Sequence, residues 1–266
     1  MSDATDHQTP DRLTPDQPGD QPGTGPAAEA ERLRRQRELV LGYRIFAALG
    51  WGDTGDGHIT ARDPERTDCF WLLRSPTPFE AATLDDLVLI GPDGTVVEGR
   101  GPYNQTAWRI HWPIHEARPD VVAAAHTHTQ WGSPFAAERR LLSPITQEAC
   151  YFHDDHSLFD DDEVQVLSLD GGKRIAAALG LNRAAVLANH GLLTVGATVA
   201  EAVAAFVTME RVAEAHLKAP GARPISAQAA LTAKRGLRPE ISLGGSFRYL
   251  VARYAPDATA WLEPTS

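Results

Sequence analysis

Apolar residues recur at helical spacing in four stretches of the chain. Residues 29–49 present a wide apolar face, which predicts a first helix. Residues 106–117 and 173–179 predict two more, although Pro113 should kink the first of these. A fourth helix is predicted over residues 198–218, because the threonine at its start is followed three residues later by a glutamate, the spacing of a capping box.

Short apolar runs between turn signals predict the strands. The sequences Pro-Asp-Gly and Asn-His-Gly each separate two such runs, so two hairpins are expected. Hairpins mixed with helices favour an α/β fold, a three-layer αβα domain with a central and largely antiparallel sheet. The predicted strands are residues 58–61, 70–73, 87–90, 96–97, 121–125, 164–167, 184–188 and 192–195.

The first 28 residues differ in composition from the rest of the chain. They hold five Pro, three Gly and five Asp, and their only large apolar residues are Met1 and Leu13. Such a segment buries too little apolar surface to offset its ordering entropy. We therefore predict a disordered tail over residues 1–28 and a single metal-binding domain over residues 29–266, with no linker inside it.

Composition excludes several functional classes. A net charge of −10 argues against nucleic-acid binding, which needs a basic surface. No apolar run is long enough for a membrane helix, and no secretory signal precedes the body. Two distant cysteines, Cys69 and Cys150, exclude a disulfide scaffold. The expected setting is the cytoplasm, with a small-molecule substrate and neither nucleic acid nor membrane as a partner.

Three histidines lie at the ends of predicted strands. His126 and His128 are two residues apart, so strand alternation points both imidazoles to one face. His190 ends a second buried strand and is followed by Gly191, which permits a sharp turn. Three imidazoles with an open fourth position are typical of a catalytic Zn²⁺ or Fe²⁺ site. Each histidine also has an ordinary structural interpretation when it is taken alone.

Several motifs together resemble the class II aldolase/adducin family. The resemblance covers roughly residues 33–250 and implies an αβα domain. It further implies a homotetramer with the site near a subunit interface, and one divalent metal, zinc or iron, per subunit on His126, His128 and His190. The matching stretches are residues 55–62, 114–121, 125–128, 143–148, 189–196 and 209–211.

The chain departs from the aldolase pattern at two places. Aldolases of the family carry a catalytic glutamate where this chain has Ala107, which can neither bind a metal nor move a proton. The loop that binds phosphate in those aldolases contains Asp56 here, and a carboxylate beside a phosphate is electrostatically unfavourable. A sugar phosphate is therefore not the expected substrate.

Other residues are assigned to the site by the same resemblance. Glu148 is the best replacement for the missing carboxylate, as an acid, a base or a fourth ligand, although a surface role is equally open. His111 and His115 are interpreted mainly as packing or supporting groups. The predicted substrate-binding residues, three of them aromatic, are His58, Trp71, Phe79, Tyr103 and Asn189.

Three functions remain open from the sequence. The first is a metal-dependent lyase that breaks a C–C bond next to a carbonyl in a small oxo or hydroxy acid, by decarboxylation or aldol cleavage. The second is a non-haem iron oxygenase that oxidatively decarboxylates an aromatic 2-oxo acid. Iron oxygenases of the aminocoumarin antibiotic pathways resemble this family and shorten such acids. The third is a non-enzymatic, adducin-like assembly module, which would have no need of a histidine triad.

Overall fold

A computed structural model of the chain describes residues 25–262. Most of the predicted tail, residues 1–24, lies outside the described residues. The first helix begins at Pro26, three residues before its predicted start, because proline is well suited to the first turn of a helix. No helix within residues 25–262 is both long enough and apolar enough to cross a membrane.

The described residues form seven α-helices and eight strands, with short 3-10 turns between some of them. The helices are α1 (Pro26–Ala48), α2 (Gln105–Ala117), α3 (Gly132–Ala137), α4 (Leu169–Leu179), α5 (Val199–Lys218), α6 (Ala227–Leu237) and α7 (Pro239–Tyr254). The strands are β1 (His58–Arg62), β2 (Phe70–Leu73), β3 (Leu87–Ile90), β4 (Val96–Glu98), β5 (Ala123–Thr127), β6 (His156–Phe159), β7 (Ala184–Leu187) and β8 (Gly191–Gly196).

All eight strands form one sheet in the order β4-β3-β2-β1-β5-β8-β7-β6. Every neighbouring pair is antiparallel except β6 and β7, which are parallel. The predicted three-layer αβα fold with a largely antiparallel sheet is confirmed. In the register of β1 with β5, His58 is the direct partner of His126, which places a fourth imidazole beside the predicted ligands.

Helices cover both faces of the sheet and divide its core in two. Helices α1, α5 and α7 contact one another on one face, and α2 and α4 pack together on the other. Strand β5 follows the alternation rule, since Ala123 and Ala125 belong to the larger core and Ala124 to the core under α4. His126 and His128 continue the series of Ala124, so the expected face is the one covered by α2 and α4.

The predicted strand over residues 164–167 is wrong. This segment is irregular, and the strand that pairs with β7 is β6 (His156–Phe159), whose mixed polar composition hid it. The carboxylates of Asp161 and Glu163 both bind Arg174 of α4. This pairing ties the segment to the helix layer, so its backbone is not available to the sheet edge.

Helices α2 and α4 approach each other closely at Pro113 and Gly172. Pro113 lacks an N–H, so the carbonyl of Arg109 has no helical donor four residues on. An added Cβ on Gly172 would lie 1.8 Å from that carbonyl oxygen. Gly171 and Gly172 lie in the first turn of α4, and Ser168 caps this helix by accepting a hydrogen bond from the N–H of Gly171. The absence of a side chain at position 172 permits the close approach of the two helices.

Candidate metal centre

Three imidazoles converge where β5 ends and where the turn after β7 begins. The nearest ligand nitrogens of His126, His128 and His190 all lie within 4.8 Å of one another. The ring centroids are 5.4 Å apart for the first two histidines, and 4.7 and 5.1 Å from each of them to the third. The structure therefore brings together the three residues predicted as ligands.

Neighbouring polar groups restrict the orientation of the His126 and His128 rings. Nδ1 of His126 lies 2.8 Å from the carbonyl oxygen of Leu192, so it donates its proton there and leaves Nε2 free for a metal. Nδ1 of His128 lies 3.5 Å from a carboxylate oxygen of Asp56. A carboxylate behind an imidazole raises its basicity as a ligand and restricts its ring orientation.

Backbone geometry places His190. Asn189 adopts a left-handed conformation, with a φ of 57°, which asparagine tolerates better than most residues. Its N–H donates to the carbonyl of Ala136, and the N–H of His190 donates to that of Leu187. The strained turn thereby holds the His190 ring over the end of the sheet rather than along β8.

Burial favours the neutral form of two of the three imidazoles, which is the form that binds a metal. It lowers the pKa of His126 well below its usual value, and the neighbouring histidines add to this effect. Burial, with His128 nearby, lowers the pKa of His190 to about 4. Three imidazole nitrogens with no thiolate or carboxylate among them suit a divalent metal of intermediate softness, so the residues present fit the predicted ion.

The three histidines face a cavity of about 450 Å³. The apolar side chains of Ile110, Val164 and Val166 line it together with amide and hydroxyl side chains. The segment that carries Val164 and Val166 is the one wrongly predicted as a strand. The other lining residues are Asp56, Gly57, His58, Asn104, Thr106, Ser133, Gln165 and Asn189.

The predicted substrate-binding residues separate into three groups. His58 and Asn189 line the cavity of the three histidines, and Phe79 lines a neighbouring cavity. Trp71 and Tyr103 line neither cavity and are buried in the core. The indole N–H of Trp71 donates to Asp63, and the hydroxyl of Tyr103 donates to the carbonyl of Gly94. The aromatic wall expected for the pocket is therefore absent from the lining of the metal cavity.

The two carboxylate positions considered from the sequence lie apart from the histidines. Glu148 is exposed at the first residue of a 3-10 helix and does not line the cavity within this chain. Its acid–base role stays a prediction. Ala107 is fully buried in an apolar cluster with Phe70 and Leu72, so the alanine fills a packed space instead of leaving a vacant carboxylate site.

Two carboxylates support the site, and sequence reasoning missed the role of both. Asp56 was placed in the loop that binds phosphate in related aldolases, whereas its carboxylate lies beside His128. Glu210 of α5 is buried, which raises its pKa. It accepts the hydroxyl of Thr129 at 2.6 Å and the N–H of Trp131 at 2.9 Å. Glu210 thus anchors the turn that leaves His128.

Buried neutral histidines make the stability of the protein pH-dependent. Burial, with the Arg62 guanidinium nearby, lowers the pKa of His115 to about 3 from a usual 6.5. The unfolded chain therefore binds this proton more tightly, and stability falls as the pH drops from 6.5 towards 3. We expect His115→Gln to remove a slope of up to about 1.4 kcal/mol per pH unit in that window. Urea unfolding of both metal-free proteins across this window measures it, and equal slopes would contradict the assignment.

Comparisons with known proteins identify the family. The chain matches the class II aldolase and adducin N-terminal domain over residues 37–217, which is more than half of its length. The chain belongs to the class II aldolase/adducin family.

Family members similar to this chain carry enzyme names. It is 43% identical to the 4-hydroxy-3-prenylphenylpyruvate oxygenase/4-hydroxy-3-prenylbenzoate synthase of Streptomyces roseochromogenus subsp. oscitans, over 72% of this chain and 71% of that protein. It is 42% identical to the decarboxylase NovR of Streptomyces niveus, over 69% and 68% of the two chains. Among solved structures, L-fuculose 1-phosphate aldolase from Glaciozyma antarctica PI12 superimposes with a TM-score of 0.78 at 33% identity, over 89% and 96%.

Proposed function

We propose that this family member is a metal-dependent enzyme that removes the carboxyl carbon of a small aromatic 2-oxo acid with consumption of O₂. The observation that carries the proposal is the convergence of three histidines on a cavity that apolar side chains also line. The two Streptomyces relatives, named an oxygenase and a decarboxylase, support the reaction class. The resident metal is proposed to be iron.

The cavity provides distinct environments for the two ends of such a substrate. A divalent metal on the three histidines would polarise the oxo and carboxylate oxygens and provide a site for O₂. The polar side chains of Asn104, Thr106 and Asn189 would orient the carboxylate end. Ile110, Val164 and Val166 would pack against the apolar ring and exclude water from the bond that breaks.

A lyase without O₂ is the second candidate, and the similarity to the fungal aldolase favours it. A decarboxylase replaces the lost CO₂ by one proton and yields an aldehyde. The oxidative route instead divides both atoms of O₂ between a new carboxylate and a new hydroxyl. Ala107, which stands where aldolases carry their glutamate, makes aldol cleavage the weaker form of the lyase proposal. An adducin-like assembly role is the third candidate.

The measurement that separates these candidates is gas stoichiometry with a defined metal. Protein purified without oxygen and loaded with Fe²⁺ is given phenylpyruvate or 4-hydroxyphenylpyruvate. One O₂ consumed per CO₂ released is the expected result. CO₂ release by the Zn²⁺ form without O₂ would contradict the oxygenase proposal and support the lyase. A protein that binds no divalent metal would contradict both enzyme proposals and support the assembly role.

The oligomeric state belongs to the same proposal. We propose a homotetramer with one metal per subunit, as is frequent in the family. Glu148 is exposed in the single chain, so a catalytic role would require that it lie in the site of a second subunit. Analytical ultracentrifugation with and without metal tests this arrangement.

A further inference from the structure

Four buried polar side chains form a continuous line behind the metal cavity. Nδ1 of His58 lies 3.1 Å from Nε2 of His111, and Nδ1 of His111 lies 2.8 Å from the hydroxyl of Thr60. The same hydroxyl lies 2.9 Å from Nε2 of His115, whose Nδ1 lies 3.4 Å from the carbonyl oxygen of Val121. We call this line the histidine relay: His58, His111, Thr60 and His115.

The far end of the histidine relay fixes the position of one proton. A carbonyl only accepts, so contact with Val121 requires that His115 carry its proton on Nδ1. The competing donor is Nη2 of Arg62, 3.5 Å from the same nitrogen. Nη2 of Arg62 has two hydrogens, and the carbonyl oxygens of His115 and Arg118 accept them at the shorter distances of 2.5 and 3.1 Å. Nη2 of Arg62 therefore makes its shorter hydrogen bonds to these carbonyls and not to the ring.

When the rings are neutral, the position of the proton on His115 determines which nitrogen carries the proton on each of the other rings of the histidine relay. Burial lowers the pKa values of His111 and His115, and a neutral imidazole has a single N–H. Since Nδ1 of His115 donates, its Nε2 accepts the proton of Thr60. The hydroxyl oxygen of Thr60 then accepts from Nδ1 of His111. Nε2 of His111 in turn accepts from Nδ1 of His58, so Nε2 of His58 is left without a proton.

The unprotonated nitrogen of His58 lies at the cavity. His58 lines the cavity together with the three clustered histidines, and its ring centroid is 5.1 Å from that of His126. Its Nε2 has no hydrogen-bond partner within residues 25–262. It is not one of the three residues whose ligand atoms cluster. Nε2 of His58 is not among the fully buried side-chain atoms without a partner in residues 25–262, so it is open to the cavity, and a bound molecule that donates a proton to it gains a hydrogen bond there.

We propose that Nε2 of His58 accepts a hydrogen bond from the hydroxyl group of a bound 2-hydroxy acid or enol, and that Thr60, His111 and His115 are positioning residues that fix its tautomer. The ligand class rests on the proposed function, whereas the tautomer does not. The nitrogen would provide the acceptor that the alanine at position 107 cannot. It would therefore bind the enol form of the proposed oxo acid, or the hydroxy acid that the oxidative route forms, more tightly than the keto form, which has no proton to donate.

The tautomer is measured directly in the full-length protein with ¹⁵N-labelled histidine. Nitrogen shifts distinguish a ring nitrogen that carries a proton from one that does not. We expect the His58 ring to carry its proton on Nδ1, both without metal and with Zn²⁺ bound. A proton on Nε2, or a shift of Nε2 to a zinc-bound position, would overturn the proposal. This measurement needs no variant, so it does not depend on the folding of one.

Thr60→Val and Thr60→Ser form a matched pair that tests the relay. Valine keeps the shape but removes the hydroxyl, so His111 is released to donate from Nε2 and the proton of His58 moves to its own Nε2. Serine keeps the hydroxyl and is expected to leave the wild-type tautomer. An unchanged tautomer in Thr60→Val would show that the relay does not control His58.

Ligand binding supplies a readout that a merely structural role of Thr60 would not produce. Mandelate has a hydroxyl and phenylglyoxylate, its oxo counterpart, does not. In the Zn²⁺ form, Thr60→Val is expected to weaken mandelate binding about 5- to 10-fold relative to Thr60→Ser, the effect of one hydrogen bond. Phenylglyoxylate and Zn²⁺ affinities should be equal in the two variants. Parallel losses for both acids would overturn the acceptor role, and absent turnover with an intact tautomer would overturn only the proposed reaction.

Discussion

Replacing His126 by alanine is expected to lower metal affinity more than about 100-fold and to abolish turnover. The loss of a hydrogen-bonding partner behind a ligand costs 10- to 100-fold, so the loss of a ligand itself costs more. His126 is the most buried of the three clustered histidines, and its Nδ1 is anchored to the Leu192 carbonyl. No neighbouring side chain within residues 25–262 completes the cluster in its place. Metal content after dialysis and competition with a chelator measure the affinity.

His153→Ala is the matched control for His126→Ala. His153 lies beside α6 and lines a different cavity, so its loss is expected to leave metal content and turnover unchanged. Equal metal content in His126→Ala and the wild type would contradict the proposed centre. A loss in both variants would point to a general effect on folding, which circular dichroism of the metal-free proteins detects.

Gly172→Ala is expected to destabilise the protein by about 1–3 kcal/mol, the usual cost of overpacking. The new Cβ would lie 1.8 Å from the carbonyl oxygen of Arg109, which is backbone and has little freedom to move. Helix α2, which carries His111 and Ile110, must shift to relieve this contact. Denaturant unfolding measures the loss of stability, and a weaker affinity for the metal is expected to accompany it if the shift reaches the cavity.

Gly171→Ala provides the control in the adjacent position of the same helix turn. Its Cβ would meet the carboxylate of Glu163 at 2.6 Å, a side-chain end that can shift at the expense of its ion pair with Arg174. Alanine is about 1 kcal/mol more favourable than glycine in a helix, which offsets part of this cost. We therefore expect a smaller loss of stability than in Gly172→Ala. Equal losses in the two variants would contradict the assigned role of the close contact between α2 and α4.

The histidine cluster was predictable because local geometry determines most of it. Alternation along β5 places His126 and His128 on one face whatever the rest of the fold does. The Asn-His-Gly turn marked His190 as the end of a strand, and family resemblance joined it to the other two. The prediction that these residues hold a metal gains support from their convergence but awaits the metal measurements.

The histidine relay was not predictable from local pattern. His111 and His115 were expected to be packing or supporting groups on one helix face, and the structure does bury them. Their hydrogen bonds join them to Thr60 and His58, which are more than 50 residues away in sequence. The role of Glu210 was likewise not predictable, because this residue of α5 contacts Thr129 in the turn after β5, 81 residues away in sequence. Spacing along the chain carries no information on such contacts.

The sequence by itself determined the class of fold, the two strand-end histidines and the absence of a carboxylate at position 107. These follow from period-two and helical spacing and from residue identity, which are local properties. Only the tertiary structure decided that His58 stands opposite His126, that Trp71 and Tyr103 belong to the core, and that Val164 and Val166 line the cavity. The reason is that strand register and helix packing bring together residues far apart in the chain, and burial and hydrogen bonding then determine which of their atoms remain free to react.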